Sequence, residues 1–501
     1  MADIIYDSAT IRGGGLIEFD ISKIIVSGMK QIYFVKGRPE VVAFFHNVDK
    51  HNDIRLAQLL CKYNLTLNGQ LDAEYWRDLF CWPTAIVDHP KFGIGIVSPT
   101  YPKCFFFNEG GLAGNEKEGA WFNNIDHVTG KPFRYSKVDE SERGNLKTYL
   151  AALTKVCRGV SRMHMAGLAH ADFCERAVLI DPSTGGALIV DVDALVVPGI
   201  YPPDVAGTPS YISPEFLATI HLPFGDSLKK IPSPDTNKYS LAVMIYKYLL
   251  ERHPLVGKRK ILGVTAEEED IQIFGAGAIY SEHRNNDTNR PLDSKYLKAS
   301  ILGKELEDLF HKSFVDGLFD PSKRPLPSEF EMALCGTFDM LLPCGNPSCT
   351  HKYFVLTNKT NPICPYCNTK FRGSFSILKL SHEDKGRILN CGEMVLHCTK
   401  SGEQGTNIFG FHAFQNAKRG AGQDNTLVAT VVYLPAPNAN PGYYLKNLGI
   451  PDMQVRIPSA GNLNFQQVPL NKHVQLNSEI EILFGNSANA RKGSIETIFI
   501  P

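Results

Sequence analysis

Two aspartates and one lysine, far apart in the chain, are the side-chain types that moving a phosphoryl group from ATP requires. Asp172 stands in the polar turn "HADF" just after a helical stretch, and Asp191 follows an apolar run in "IVDVDALVV". One such carboxylate can orient or accept the proton of an attacking hydroxyl, and the other can hold Mg²⁺ or Mn²⁺, while a cation grips the phosphates. Lys30 in "SGMK" is the candidate cation, Gly28 the residue that lets a phosphate approach, and Asp193 a candidate extra metal ligand. Taken singly, either aspartate is an ordinary turn residue and Lys30 a solvated hairpin lysine. A second chemistry stands further on. Cys344, Cys349, Cys364 and Cys367 follow the spacing C-x₄-C-x₁₄-C-x₂-C, which brings four thiolates to a tetrahedron suited to Zn²⁺. With every position filled by sulfur, that site is structural. His351 reads as a bystander.

The elements that would position these groups can be read from the pattern. "LIEFDISKIIV", "QIYFVKG" and "EVVAFF" between residues 16 and 50 are β-branched and aromatic runs broken by turn residues, hence strands. Leu146, Leu150, Leu153, Val160 and Met163 fall on one helical face, with Gly167 as a stop. "AVLID" and "ALIVDVD" flank the turn "PSTGG" as two short strands, and residues 200 to 335 read as mainly helical, including a buried helix over Tyr239–Leu250. After Cys335 come turn residues and cysteines, then alternating strands that suggest a β-sandwich. Lysine plus arginine equals aspartate plus glutamate, so no global field draws the chain to nucleic acid or to an anionic membrane. Around the cysteines, Lys352, Tyr353, Lys359, Lys370, Phe371 and Arg372 interleave only thinly, so a nucleic-acid partner is not expected. The start lacks the pattern of a secretory leader and the longest apolar run is too short to span a bilayer. The expectation is a cytoplasmic, reduced protein without a membrane partner.

The motifs also carry a resemblance. In order, the Asp172 loop, the Asp191 turn, "GTPSYISPEF" (residues 207–216) and "DPSKRPLPSEF" (residues 320–330) resemble the catalytic loop, metal turn, activation-segment end and closing region of a protein kinase. Glu215 and Arg324 would then form a buried ion pair, since neither charge is tolerable alone. More closely, the chain resembles the kinase of the TerY-phosphorylation triad, a bacterial group associated with tellurite-resistance and stress operons. The residues are "SGMKQIYF", "VVAFF", "LFCWPTAIVD", "RMHMAGLAHAD", "VVPGIYPPDVAGTP" and "YLLERHPLVG". Together with the cysteine spacing and the C-terminal strands, the resemblance leads to a multidomain α+β chain. A bilobal kinase-like fold over 1–335 (lobes about 10–110 and 111–335) precedes a zinc ribbon over 336–375 and a β-sandwich over 376–501. It further implies Ser/Thr phosphorylation with ATP and Mg²⁺ or Mn²⁺, and two partners: a von Willebrand A-domain protein and a metal-dependent Ser/Thr phosphatase.

Several positions depart from that pattern. Ala43 stands where a strand lysine belongs, and the helix expected near 53–63 has no glutamate, only Asp53 or Gln58 as partial substitutes. Ala177 replaces a metal-binding Asn, and Ala194 a glycine. Asn237 replaces a bracing Asp and in its plainest reading caps a helix. "RGGG" at 12–15 reads as a connector before the first strand. Ala177 and Asn237 favour the alternative function, a pseudokinase scaffold that binds nucleotide and docks partners. Residues 443–485 resemble a forkhead-associated domain, with Asn447 at one family position. Gly449 stands where a Ser is expected and no Ser and Arg pair is evident, so a degenerate docking module is expected there.

Overall fold

The computed structural model describes residues 4–46, 50–67, 69, 72–124, 132–198, 200, 207–223, 226–261, 265–293, 295–398, 405–417, 426–435, 441–458, 464–477 and 479–501. It comprises two compact units: residues 1–144, 151–299 and 305–331 in the first, and 145–150, 300–304 and 332–501 in the second.

The first unit opens with six antiparallel strands: β1 (Tyr6–Ile11), β2 (Leu16–Val26), β3 (Lys30–Val35), β4 (Glu40–Phe45), β5 (Ala85–His89) and β6 (Gly93–Pro99). They close in the order β1-β2-β3-β4-β6-β5, with Thr10 and Ile11 of β1 pairing with Asp88 and Val87 of β5. Side chains at period two, Ile17 and Phe19, Tyr33 and Val35, Val42 and Phe44, fill the interior. On the other face of β4, Ala43 packs with Leu56 of helix α1 (Lys50–Leu60), Ile86 and Ile96. "RGGG" is therefore no connector before the first strand. It is the turn between β1 and β2, closed by Gly14 N–H to Ile11 O at 3.0 Å, and its three glycines all take positive φ.

Beyond this sheet the chain turns helical. Leu146, Leu150, Leu153, Val160 and Met163 of the helix Leu146–Met165 are all buried, as their spacing predicts. The helix Pro234–Leu250 begins at a Ser233–Thr236 capping box with proline in its first turn, and nearly all its side chains are buried. Between the two lie β7 (Ala169–His170), β8 (Val178–Asp181), β9 (Gly186–Ile189) and β10 (Leu195–Val196). β8 and β9 form a hairpin and β10 pairs with β7. Residues 275–298 are turns rather than the predicted helix among those described. Asn289 braces them through the carbonyls of Leu255 and Ile279, at 2.8 and 2.7 Å.

In the second unit β11 (Leu341–Pro343) pairs with β12 (Tyr353–Val355). Ten strands follow: β13 (Gly373–Asp384), β14 (Arg387–Leu396), β15 (Asn407–Phe409), β16 (Leu427–Leu434), β17 (Gly442–Asn447), β18 (Gln454–Arg456), β19 (Gln466–Gln467), β20 (His473–Gln475), β21 (Ile480–Leu483) and β22 (Lys492–Ile500). They make two sheets, β14-β13-β22-β21-β18-β19 and β15-β16-β17-β20. Leu378, Met394, Val431, Leu445, Ile482 and Phe484 share one core. β13 is apolar on both faces. Leu378 and Leu380 join that core, while Phe375 and Ile377 pack with Cys349, Phe354 and Cys364. The cysteine-bearing segment thus shares a core with the strands, and residues 332–501 form one unit across position 375. No described helix is long and apolar enough to cross a membrane.

Candidate active site

The turn after β9 carries the acid that sequence reading assigns to metal. Asp191 adopts a left-handed backbone, φ 53°, and opens the short 3₁₀ turn Val192–Ala194. Aspartate enters that region more readily than most non-glycine residues but still at a cost that its surroundings must offset. Four contacts do so. Val190 N–H donates to Ala177 O at 2.9 Å, Ala194 N–H to Asp191 O at 2.9 Å, and Ala171 N–H to Ala194 O at 3.3 Å. His170 supplies the fourth. Its Nδ1 accepts from the Asp172 amide at 3.2 Å, so Nε2 carries the proton and donates to Val190 O at 3.2 Å. One buried imidazole therefore ties the Asp172 loop to the Asp191 turn.

Lys30 starts β3, and its extended stem brings Nζ to the same turn. Nζ lies 2.9 and 2.8 Å from the two carboxylate oxygens of Asp193 and 3.7 Å from Asp191. Burial works to lower the lysine's pKa, but Asp193 and Asp191 outweigh it and hold the ammonium above its ordinary range. Asp193, expected as an extra metal ligand, has both oxygens on Lys30. Burial would raise its pKa, yet Lys30 keeps it below the usual carboxylate range. Asp191 differs. Its side chain is 55% exposed, while the protein packed around it raises its pKa, Lys30 opposes this and the Asp193 charge adds to it. Asp191 is therefore the more exposed and less tightly held carboxylate of the two. Ala43 faces the α1 side of the sheet, the face it shares with Ile32, two residues on from Lys30. A side chain on Gly28 would meet no protein atom within 4 Å, so any need for glycine there comes from a ligand.

Asp172 accepts from the Thr208 amide and hydroxyl, both at 2.9 Å on Oδ1. The Arg176 guanidinium donates to the same hydroxyl at 3.3 Å. Asn237 does not cap a helix, because Ser233 does. It lies one turn in, 2% exposed, and clamps His170, whose amide donates to Oδ1 at 2.7 Å while Nδ2 donates to the His170 carbonyl at 2.8 Å. An amide satisfies both backbone groups where a carboxylate could satisfy only one. Ala177 is buried and offers only its carbonyl. Deeper in this unit, Arg324 meets Glu215 in a bidentate pair at 2.8 and 2.7 Å.

Three groups escaped sequence reading. Asp53 binds Arg12 and Gln58 makes no described side-chain hydrogen bond; the α1 residue that reaches the turn is Arg55, fully buried. Glu116 and Glu118 flank buried Lys117 on a segment bridged to Leu179 of β8. Burial, then Glu118 and Asp191, push Glu116 up to about 7, and burial also raises Glu118. Asp191 is among the charges that raise both, so the two glutamates lie within its field, and the alternating Glu-Lys-Glu was the only signal. The segment "YPPDVA" (residues 201–206) and Gly199 lie outside the described residues.

In the second unit the four cysteine sulfurs lie within 4.8 Å of one another, with Cys344 and Cys367 at 3.4 Å and Cys349 and Cys364 at 3.8 Å. Four Zn–S bonds of ~2.3 Å set sulfurs roughly 3.8 Å apart, so the cluster has the size of a zinc site. His351 stays outside it, stacked on Tyr366 at 3.6 Å. Asn447 is buried and holds Ile450 and Val468 by their carbonyls, both at 2.7 Å, so its side chain is a loop brace.

No protein-family model matches the chain, and no curated protein matches it. Solved structures similar to it include a rhoptry kinase from Toxoplasma gondii, 14% identical, covering 67% of this chain and 85% of that one at a TM-score of 0.40. A second is a virulence factor of the same organism described as having a protein-kinase fold and no enzymatic activity, with 14% identity, coverage of 67% and 87%, and a TM-score of 0.40. The first is described as a kinase and the second as lacking enzymatic activity, and likeness of that extent does not choose between the two descriptions.

Proposed function

We propose that the first unit is an ATP-dependent Ser/Thr protein kinase whose phosphate-gripping lysine has moved from β4 to β3. The observation that carries the reading is Lys30 meeting Asp191 and Asp193 beside the Asp172 loop. Bound ATP with Mg²⁺ or Mn²⁺ would supply the phosphoryl group and neutralise its charge. Asp191 would hold the ion. Lys30, kept protonated by Asp193 and Asp191, would give up its contact with Asp191 and turn that donor to the phosphates. Asp172 would take the proton of a substrate hydroxyl, displacing Thr208 from its carboxylate. Arg176 stands where a cation can meet the transferred group. The resemblance to the tellurite-resistance triad supports a von Willebrand A-domain protein as substrate and a phosphatase as antagonist. In the second unit we read a structural zinc ribbon packed on a β-sandwich that serves as a docking module.

The second reading is a nucleotide-binding scaffold, favoured by the buried methyl of Ala177 where a ligand oxygen would be. Incubation with γ-labelled ATP and Mn²⁺, with Asp172→Ala and Lys30→Ala beside the wild type, tests the two. Label in the wild type alone supports the kinase; nucleotide binding without label supports the scaffold. Zinc is tested separately, by release on thiol modification: one zinc per chain is expected, and none from Cys364→Ser.

A further inference from the structure

Helix α1 presents a cation to the Asp191 turn where the kinase pattern has a carboxylate. Arg55 is 1% exposed, and its Nη1 donates to the carbonyls of Asp193 at 2.6 Å and Leu195 at 2.9 Å. These carbonyls belong to the turn that Asp191 opens in its left-handed conformation. Asp193 is thus gripped twice, by Lys30 at its carboxylate and by Arg55 at its backbone. The Arg55 charge also favours the ionised form of Asp193, behind Lys30.

We propose that Arg55 is a positioning residue that ties α1 to the metal-holding turn, so that the seat of this helix sets the affinity of Asp191 for a divalent cation. The inference rests on reading Asp191 as the metal ligand. Its logic is one of sign. Where a strand lysine needs a counter-charge, a helix carboxylate supplies it. Here the lysine comes from β3 and its counter-charge from Asp193, so the helix faces two carbonyl oxygens and a carboxylate. A glutamate at 55 would meet only acceptors. A guanidinium has several donors in a fixed plane and can hold both carbonyls at once. Displacing α1 would release the turn, and with it the strained backbone that aims Asp191.

The test is Mn²⁺ binding to the full chain with a non-hydrolysable ATP analogue, read from the free-ion electron paramagnetic resonance signal. Wild type, Arg55→Met, Arg55→Lys and Asp191→Asn are compared. Arg55→Met is expected to weaken Mn²⁺ by about tenfold or more, the range seen when partners of metal ligands are removed. Arg55→Lys, keeping a donor and the charge, recovers part of this, while analogue binding without metal changes little in either. Amide exchange over residues 192–196 should quicken in Arg55→Met, and in Arg55→Gln if the methionine variant does not fold. Wild-type Mn²⁺ affinity and unchanged exchange in the Arg55 variants, with Mn²⁺ lost in Asp191→Asn, would sink the inference and leave the kinase reading intact. Absence of Mn²⁺ binding in the wild type would remove that reading itself, and the inference with it.

Discussion

Two ion pairs in the first unit are built to different ends. Arg324 is 3% exposed, and besides Glu215 it donates to the carbonyls of Gly317, Asp235 and Leu318. Ser213 donates to Glu215 as well, at 2.7 Å. That pair is closed, with its donors spent on the protein. Lys30 and Asp193 are nearly as sheltered, at 13% and 11% side-chain exposure, but beside them stands a second carboxylate, Asp191, whose side chain is 55% exposed. A buried charge with every bond satisfied holds a fold. One that shares its counter-charge with a solvent-exposed carboxylate is suited to a ligand.

The sharpest break of the contrast is to remove one partner of each pair. Arg324→Met should cost roughly 3–5 kcal/mol of folding stability, because Glu215 is left without its partner. Thermal and urea unfolding would measure it, and an unchanged transition would show the pair to be dispensable. Lys30→Met should cost less, about 1–3 kcal/mol, since Asp193 still has the field of Arg55 and can take a proton. Its phosphotransfer should nonetheless fall by about a hundredfold or more. A Lys30 variant with normal turnover would place that pair in the structural class with the first. Asn237→Asp, the residue of the kinase pattern, should destabilise by about 1–3 kcal/mol because the His170 carbonyl loses its donor. Greater stability in that variant, by urea titration, would show the clamp to be a mere departure from pattern. A pH-dependent effect concerns Glu116. Its pKa in the fold is about 7 against an ordinary 4.5, so the folded chain keeps a proton that the unfolded chain has released. Stability should therefore decline as pH rises from 4.5 to 7, and Glu116→Gln should flatten that part of the profile. A bound divalent ion should flatten it too.

What was legible in the sequence was local or sign-paired. The four cysteines lie within one short run, and their spacing alone defines the cluster. Glu215 and Arg324 could be paired because isolated buried charges are so costly. Asp172 and Asp191 stood at the ends of apolar runs that had to be strands or helices. The missed parts lacked such a signal. β1, "YDSATI", buries only Ala9 among its six residues, so no alternation marks it as a strand; its pairing with β2 and β5 does. Arg55 was passed over because a carboxylate was sought in that helix, and the exchange of sign follows only once Lys30 is seen on Asp193. Asn237 looked like a cap because the true start, Ser233, lies four residues earlier.

The closure of the first sheet also bears on how the chain reaches this state. The strand that completes it, β1, pairs on one side with residues 16–20 and on the other with residues 87 and 88. The first contact is a hairpin that forms within microseconds, but the second must wait for a long loop to close. Until then β1 and β5 both carry open backbone edges, the feature that recruits strands from other chains. During synthesis that interval lasts until β5 and β6 have emerged, and a chaperone that covers nascent edges would act in it.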